Sequence, residues 1–197
     1  MVQGLLERYL GFLSEGAERA QALVRDVLEF SRVSGAGLQP QRVAIAPLVA
    51  EVQRMLPTEN RQSRVHWEIG ELPEVIGDRT LLRLVFQNLL ENALNFTARQ
   101  PEAVIRLFHS EQGGEHVFSV ADNGLGFDPS QAHRLFQLFQ RLHAQEECSG
   151  SGIGLANVAR IVKRHGGRVW AEGKPGEGAT FYFTLPLTLA GAPDSAA

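Results

Sequence analysis

Cysteine is nearly absent from this chain of 197 residues. Cys148 stands alone, so no disulfide can close within the chain, and a reducing cytoplasm is the expected setting. Neither sign of charge is in excess. Nineteen Lys and Arg against 22 Asp and Glu give a net charge of −3, which offers no electrostatic basis for binding nucleic acid. No apolar run reaches the roughly 20 residues that a membrane span needs. The opening MVQGLLERYL lacks the basic-then-apolar order of a secretory signal. Internal repeats and low-complexity tracts are missing as well. What remains is 44% hydrophobic and 21% charged, a globular composition long enough for one core and an appendage.

Residues 1–34 read as one long helix. Leu6, Leu10, Leu13, Ala17, Ala20, Val24, Val27 and Ser31 alternate at spacings of four and three, a seam for packing against other helices. Gly4, Gly11 and Gly16 weaken it, with a bend expected near Gly16. Ser34-Gly35-Ala36-Gly37 and Pro40 mark a linker over 35–40. Beyond it the pattern predicts strands at 41–45, 64–69 and 74–77, and a helix from Pro47 to Leu56. Asp78 is a natural N-cap for a helix over 79–97, apolar through Leu81, Leu82, Val85, Leu89 and Leu90. Strands at 103–110 and 116–121 flank Gly113-Gly114, a hairpin signal. Short helices follow at 130–139 and 154–165, the second ended by Gly166-Gly167. A strand pair, 168–171 with 179–187, closes the domain, and 189–197 form a tail. Mixed helices and strands over 41–188 predict an α/β fold, a two-layer sandwich on a mixed sheet.

Three segments carry chemistry. In QNLLENALNFT, Asn88 and Asn92 share a helix face, joined by Asn95. Carboxamides on an apolar helix are costly unless satisfied. They are either surface asparagines or oxygen ligands of the kind that suits Mg²⁺. In ADNGLGFD an apolar strand runs into Asp122, followed by Gly124 and Gly126. A strand-end carboxylate can accept from an exocyclic amine such as that of adenine, and glycines let backbone approach a flat ring. An ordinary turn uses the same letters. In SGSGIGLANV, the run Gly150, Ser151, Gly152, Ile153, Gly154 and Leu155 opens a helix, a place for phosphate. Its G-x-G-x-G spacing differs from the dinucleotide fingerprint, and no strand leads straight into it. Residues 127–149 between them read as a lid, where Arg141 could reach a phosphate. Gly176-Glu177-Gly178-Ala179-Thr180 turns into the last strand, with Thr180 either a pocket or a plain strand residue.

Taken in order, these segments resemble the histidine-kinase branch of the Bergerat (GHKL) ATP-binding superfamily. QNLLENALNFT is similar to its N box, DNGLGF to the first glycine box, LFQLFQRLH to the phenylalanine box, GSGIGLANV to the second glycine box and GEGATF to the third. The wording FQRLH is similar to kinases linked to PAS or phytochrome sensors. The resemblance spans about 41–188 and implies a mixed sheet with helices on one face. It implies that Asn92 holds Mg²⁺ with Asn88 as its phosphate-side partner. It implies that Asp122 reads adenine with a water and Thr180, and that Phe96 packs on the base. Gly124, Gly126, Gly150, Gly152 and Gly154 would shape the loops. Hydrolases of the superfamily carry a glutamate base where Asn88 stands, so asparagine suits a kinase that holds ATP without consuming it. Lysine is frequent in the family where Asn95 stands here, which removes a cation from the phosphates: either Arg141 replaces it or ATP binds more weakly.

ERAQALVRDVLEFSRV resembles the second helix of the family's dimerising bundle, which implies a homodimer through residues 1–34. None of His66, His109, His116, His133, His143 and His165 precedes the acidic residue and proline expected of an acceptor. The resemblance therefore implies a phosphoryl-accepting histidine on a helix missing from this sequence or on another chain, and a response regulator receiver domain downstream. Two other readings share the pocket: a serine kinase of the anti-sigma-factor type, and a non-catalytic ATP-sensing or dimerising module.

Overall fold

A computed structural model of the chain describes Gly16, Gln21, Val24, Leu28 and residues 37–58, 64–140 and 152–188. The chain divides into two compact units, Met1–Ala36 and Gly37–Ala197. In the first unit the four described residues are helical and exposed, and the rest of the expected heptad seam lies outside the described residues. Among the described residues no helix is long and apolar enough to cross a membrane.

The second unit builds its layers from short-range patterns. Strand β1 (Gln41–Ala44) pairs antiparallel with β3 (Glu74–Gly77) as a two-stranded ribbon. Helix α1 (Ile45–Met55) begins two residues before the expected Pro47 and buries Ile45, Leu48, Val49 and Val52, one face at helical spacing. The main sheet has five strands in the order β2 (Arg64–Ile69), β4 (Glu102–Gln112), β5 (Glu115–Asp122), β7 (Gly178–Pro186), β6 (Val169–Lys174). Only β2 and β4 run parallel; the other pairs are antiparallel, which makes the sheet mixed. Gly113 and Gly114, both at positive φ, form the two-residue turn between β4 and β5.

Helices α2 (Arg79–Phe96) and α3 (Gly154–Arg164) pack on each other and on the sheet. Asp78 caps α2 by accepting from Thr80 N and Leu81 N. The buried face of α2 is broader than the apolar pattern suggested, adding Leu84, Phe86, Ala93 and Leu94, while Leu81 is half-buried. Phe86 meets the rings of Phe118 and Phe183 edge-on at 5.8 and 5.5 Å, and those two stack at 4.9 Å. This cluster joins α2 to the central strand β5 and its neighbour β7. The helix expected over 130–139 is a 3-10 helix at Pro129–Arg134 followed by turns. Its backbone bonds, Leu135 N to Ala132 O and Gln137 N to Arg134 O, all span three residues. Without a buried face at 3.6 spacing, nothing rewards the longer α-helical bond.

His165 ties the two helices together. It is fully buried at the end of α3, with Nδ1 donating to Ile161 O at 2.8 Å and Nε2 accepting from Asp78 N at 3.0 Å. Burial lowers its pKa, against a smaller opposing pull from the Ile161 carbonyl and Asp78. The folded chain therefore holds it neutral. Its contribution to stability is present above the unfolded value near 6.5 and is lost as pH falls below it. His165→Ala is expected to cost roughly 2–4 kcal/mol, since it opens a void and strands the Asp78 N–H. Calorimetric melts should show the loss at pH 7 and a flatter acid limb for the variant. An unchanged melting temperature would remove His165 from this role.

Candidate functional site

Three faces converge at one end of the main sheet. Along α2, Asn88, Asn92 and Phe96 recur at intervals of four and so share one stripe, about 12 Å long. At the start of the stripe, a Cβ on Gly154 would stand 2.5 Å from Asn88 Oδ1, so the opening of α3 lies directly against that amide. Asn88 Nδ2 donates to Leu84 O at 2.8 Å, which turns its oxygen toward Gly154. At the other end, a Cβ on Gly124 would stand 2.6 Å from Phe96 O and 2.8 Å from Asp122 Oδ1. The helix stripe therefore runs from the glycine-rich loop to the carboxylate turn. Asn95 and Phe96 are both half-buried.

Asp122 ends β5 with 7% of its surface exposed. Gly124 N donates to its Oδ1 at 2.8 Å, while Oδ2 is buried without a hydrogen-bond partner. Burial raises its pKa to about 6, opposed by the N–H groups of Gly124 and Ala179. An acceptor left open in this way costs about 1–3 kcal/mol. The turn beyond it is fixed by Gly126, at φ 63, whose missing Cβ makes room for the Lys174 carbonyl. Asn123, unremarked in the sequence, stitches this turn to β4. Its Oδ1 accepts from Val104 N at 2.8 Å, and its Nδ2 donates to Glu102 O at 2.9 Å.

Among the described residues, three buried side-chain polar atoms lack a partner: Asn92 Nδ2, Asp122 Oδ2 and Asn157 Oδ1. Two belong to residues that the sequence pattern singled out. The third, Asn157, is 1% exposed on α3, one turn past Gly154. Its signal was an amide inside the apolar run Ala156, Val158, Ile161, Val162. Gly152, at φ 75, lies against Phe139 and Gln140, and its carbonyl accepts from Phe139 N at 3.1 Å. Ile153 is buried and Leu155 half-buried. Arg141, Gly150 and Ser151 lie outside the described residues.

Thr180 requires a correction. In the β5–β7 register Asp122 faces Ala179 and Ala121 faces Thr180. Neighbouring residues on a strand point to opposite faces, so Thr180 lies on the face away from the Asp122 carboxylate. There its hydroxyl meets Tyr182, which also donates to Glu172. The residue brought beside Asp122 is Ala179.

The profile of the family described as "Histidine kinase-, DNA gyrase B-, and HSP90-like ATPase" matches residues 77–189. The chain is 35% identical over 179 residues to the phytochrome-like protein Cph1 of Synechocystis sp., covering 91% of this chain and 24% of that protein. It is 34% identical to the adaptive-response sensory kinase SasA of Parasynechococcus marenigrum, covering 92% of this chain and 49% of that kinase. Full-length ShkA, solved in complex with AMPPNP, superposes with a TM-score of 0.72 at 32% identity, over 97% of this chain and 41% of ShkA. The chain thus spans between about a quarter and a half of these relatives.

Proposed function

Because the chain belongs to the histidine kinase-, DNA gyrase B-, and HSP90-like ATPase family, and its relatives include sensory kinases, we propose that it binds Mg-ATP and presents the γ-phosphoryl group to a histidine on a partner helix. The observation that carries this reading is the pair of orphaned polar atoms, Asp122 Oδ2 and Asn92 Nδ2, on two of the surfaces that converge at the site. Asp122 Oδ2 is an acceptor waiting for a donor, which the adenine amine supplies. Asn88 Oδ1, beside Gly154 where α3 opens, lies where the helix N-terminus favours phosphate.

The donor set also fits Mg²⁺. Asn92 keeps its nitrogen inward and buried, so its oxygen is the end offered to a ligand. Asn88 likewise spends its nitrogen on Leu84 O, which leaves its oxygen turned away from the helix backbone. A hard ion needs few protein oxygens when phosphates and waters complete its shell. Bound Mg²⁺ would neutralise phosphate charge, which with positioning is most of what phosphoryl transfer requires. Asparagine at 88 cannot take a proton from water, so the site holds ATP for transfer in preference to hydrolysis. The phosphoryl group then passes from the histidine to a response regulator receiver domain, and residues 1–34 pair two copies.

Incubation with γ-labelled ATP, with and without an acceptor-helix peptide bearing histidine, tests this reading. Acid-labile label on the peptide is expected, with little free phosphate. Acid-stable label on serine, or tight binding with no transfer, would overturn it.

The Asp122 carboxylate gives a pH signature. The ionised form accepts most strongly from the adenine amine, whereas the protonated carboxyl carries an O–H that can donate to the 6-oxo group of ITP, so discrimination between ATP and ITP should fade as pH drops through about 6. Phosphate titration is common to both nucleotides and cancels. Roughly tenfold less discrimination at pH 5 than at pH 7 is expected, the loss of one pH unit below the pKa. A ratio that is flat from pH 5 to 8 would detach Asp122 from base reading.

A further inference from the structure

The hairpin end of the main sheet carries a second cluster that the nucleotide pocket does not use. His109 and Glu111 lie on β4 and His116 on β5. The register sets Glu111 opposite His116 and His109 opposite Phe118, so all three side chains share one face. His109 Nε2 is 3.0 Å from His116 Nδ1, and Glu111 Oε1 is 3.8 Å from the same His116 nitrogen. One ligand atom from each residue lies within 4.8 Å of the other two. His116 is buried, His109 half-buried and Glu111 exposed, so the cluster is anchored inside and open outside. Phe118 backs it, its ring 5.1 Å from that of His109.

We propose that His109, Glu111 and His116 form a binding site for a divalent transition ion of the zinc class. Two imidazoles and a carboxylate are borderline ligands that suit zinc, whereas Mg²⁺ prefers an all-oxygen shell. The chain therefore carries two metal positions of different chemistry. His116 and Asp122 lie on the same face of β5, six residues or about 20 Å apart, so the second ion is not the one that accompanies ATP. The geometry asks for little movement. Tetrahedral nitrogens about 2.0–2.1 Å from zinc stand roughly 3.3 Å apart, so the rings open by a few tenths of an ångström. In the metal-free pair one ring nitrogen donates to the other. Coordination moves that proton to the far nitrogen of its own ring, which leaves both facing nitrogens free to bind. Glu111 swings in from solvent, where nothing buries it. Three protein ligands leave one position for water or for an outside donor. The two-residue Gly113-Gly114 turn holds both strands in register and pre-organises the set.

The untagged full chain is titrated with Zn²⁺ in thermal melts and with Co²⁺ by visible absorption, with and without Mg-ATP. One equivalent should raise the melting temperature and give the d–d bands of a four- or five-coordinate ion, unchanged by Mg-ATP. His109→Gln should weaken the ion by about 100-fold or more, and Glu111→Gln by about tenfold. Equal binding by wild type and both variants would place the ion elsewhere, for example at Cys148, and overturn the proposal. So would the absence of any shift at tenfold excess. Should His109→Gln fail to fold, Glu111→Gln alone decides, because its side chain is exposed and supports no packing.

Discussion

Asp122→Asn is expected to make the protein more stable and almost unable to bind ATP. The two effects have one cause. The carboxylate is buried, and one of its oxygens has no partner. Its folded pKa of about 6 exceeds the ordinary 3.8. A raised pKa means that the proton favours the fold. Stability from this group is present in full below 3.8 and is lost as pH rises through about 6. At pH 7 the ionised form costs on the order of 2–3 kcal/mol, the shift converted at 1.36 kcal/mol per unit. Asparagine keeps the shape and the bond from Gly124 N without the charge. A gain of about 1–2 kcal/mol is expected, part of the cost returning as an unpaired amide. For a domain of this size that is a rise of roughly 2–8 °C in melting temperature. In the proposed ATP site the same change would set a donor, in place of an acceptor, against the adenine amine. Two opposed donors cannot pair, and a site built around one hydrogen bond loses at least about 100-fold when it is broken. Calorimetry at pH 7 measures both quantities on one sample. Unchanged ATP affinity would remove Asp122 from the site. Lost affinity together with lost stability would make the residue structural.

The parts of the fold legible in the sequence were those set by neighbours. Asp78 before an apolar helix, the paired Gly113-Gly114 between alternating strands and Gly166-Gly167 after α3 each encode a local stop or turn, and each stands where its chemistry predicted. The parallel pairing of β2 with β4 joins segments far apart in the chain, and no local pattern announces it. Thr180 shows the limit most clearly. Its hydroxyl beside a glycine turn suggested a pocket residue, yet one step of register sends it to the other face and puts Ala179 beside Asp122. Phe136 and Phe139 fall within the helix expected over 130–139. Both lie in the turns beyond the 3-10 helix, which ends at Arg134: Phe136 meets Phe181 edge-on, and Phe139 is exposed at φ 59. Asn157 was hidden because a single amide in an apolar helix reads as a tolerated exception until its burial and missing partner are seen. Burial is a property of the assembled core, and a linear pattern states it only when the whole face is apolar.

Asn92→Ala is expected to separate metal from nucleotide. The residue sits midway along the α2 stripe, between Asn88 at the glycine loop and Phe96 at the carboxylate turn. If its oxygen holds Mg²⁺, alanine removes a ligand that matters only when the ion is present. Affinity for Mg-ATP should then fall by roughly 10–100-fold, the scale of one charge-assisted contact of about 1.5–3 kcal/mol. Affinity for ATP in EDTA should fall by much less. The fold itself should not suffer. Its amide nitrogen is buried without a partner, so truncation removes an unpaid desolvation cost along with the packing of a short side chain. Melting temperature without nucleotide should therefore hold or rise slightly, the same sign as at Asp122. Titration calorimetry in Mg²⁺ and in EDTA gives the comparison directly. Equal losses in both would make Asn92 a packing residue of the stripe, and the ion would need another ligand. A selective loss in Mg²⁺ would assign the Asn92 oxygen on α2 to the ion and leave the Asp122 carboxylate on β5 to the base. The Asp122 oxygen would gain its donor from adenine, while the inward Asn92 nitrogen stays unpaired and turns the amide oxygen toward the ion.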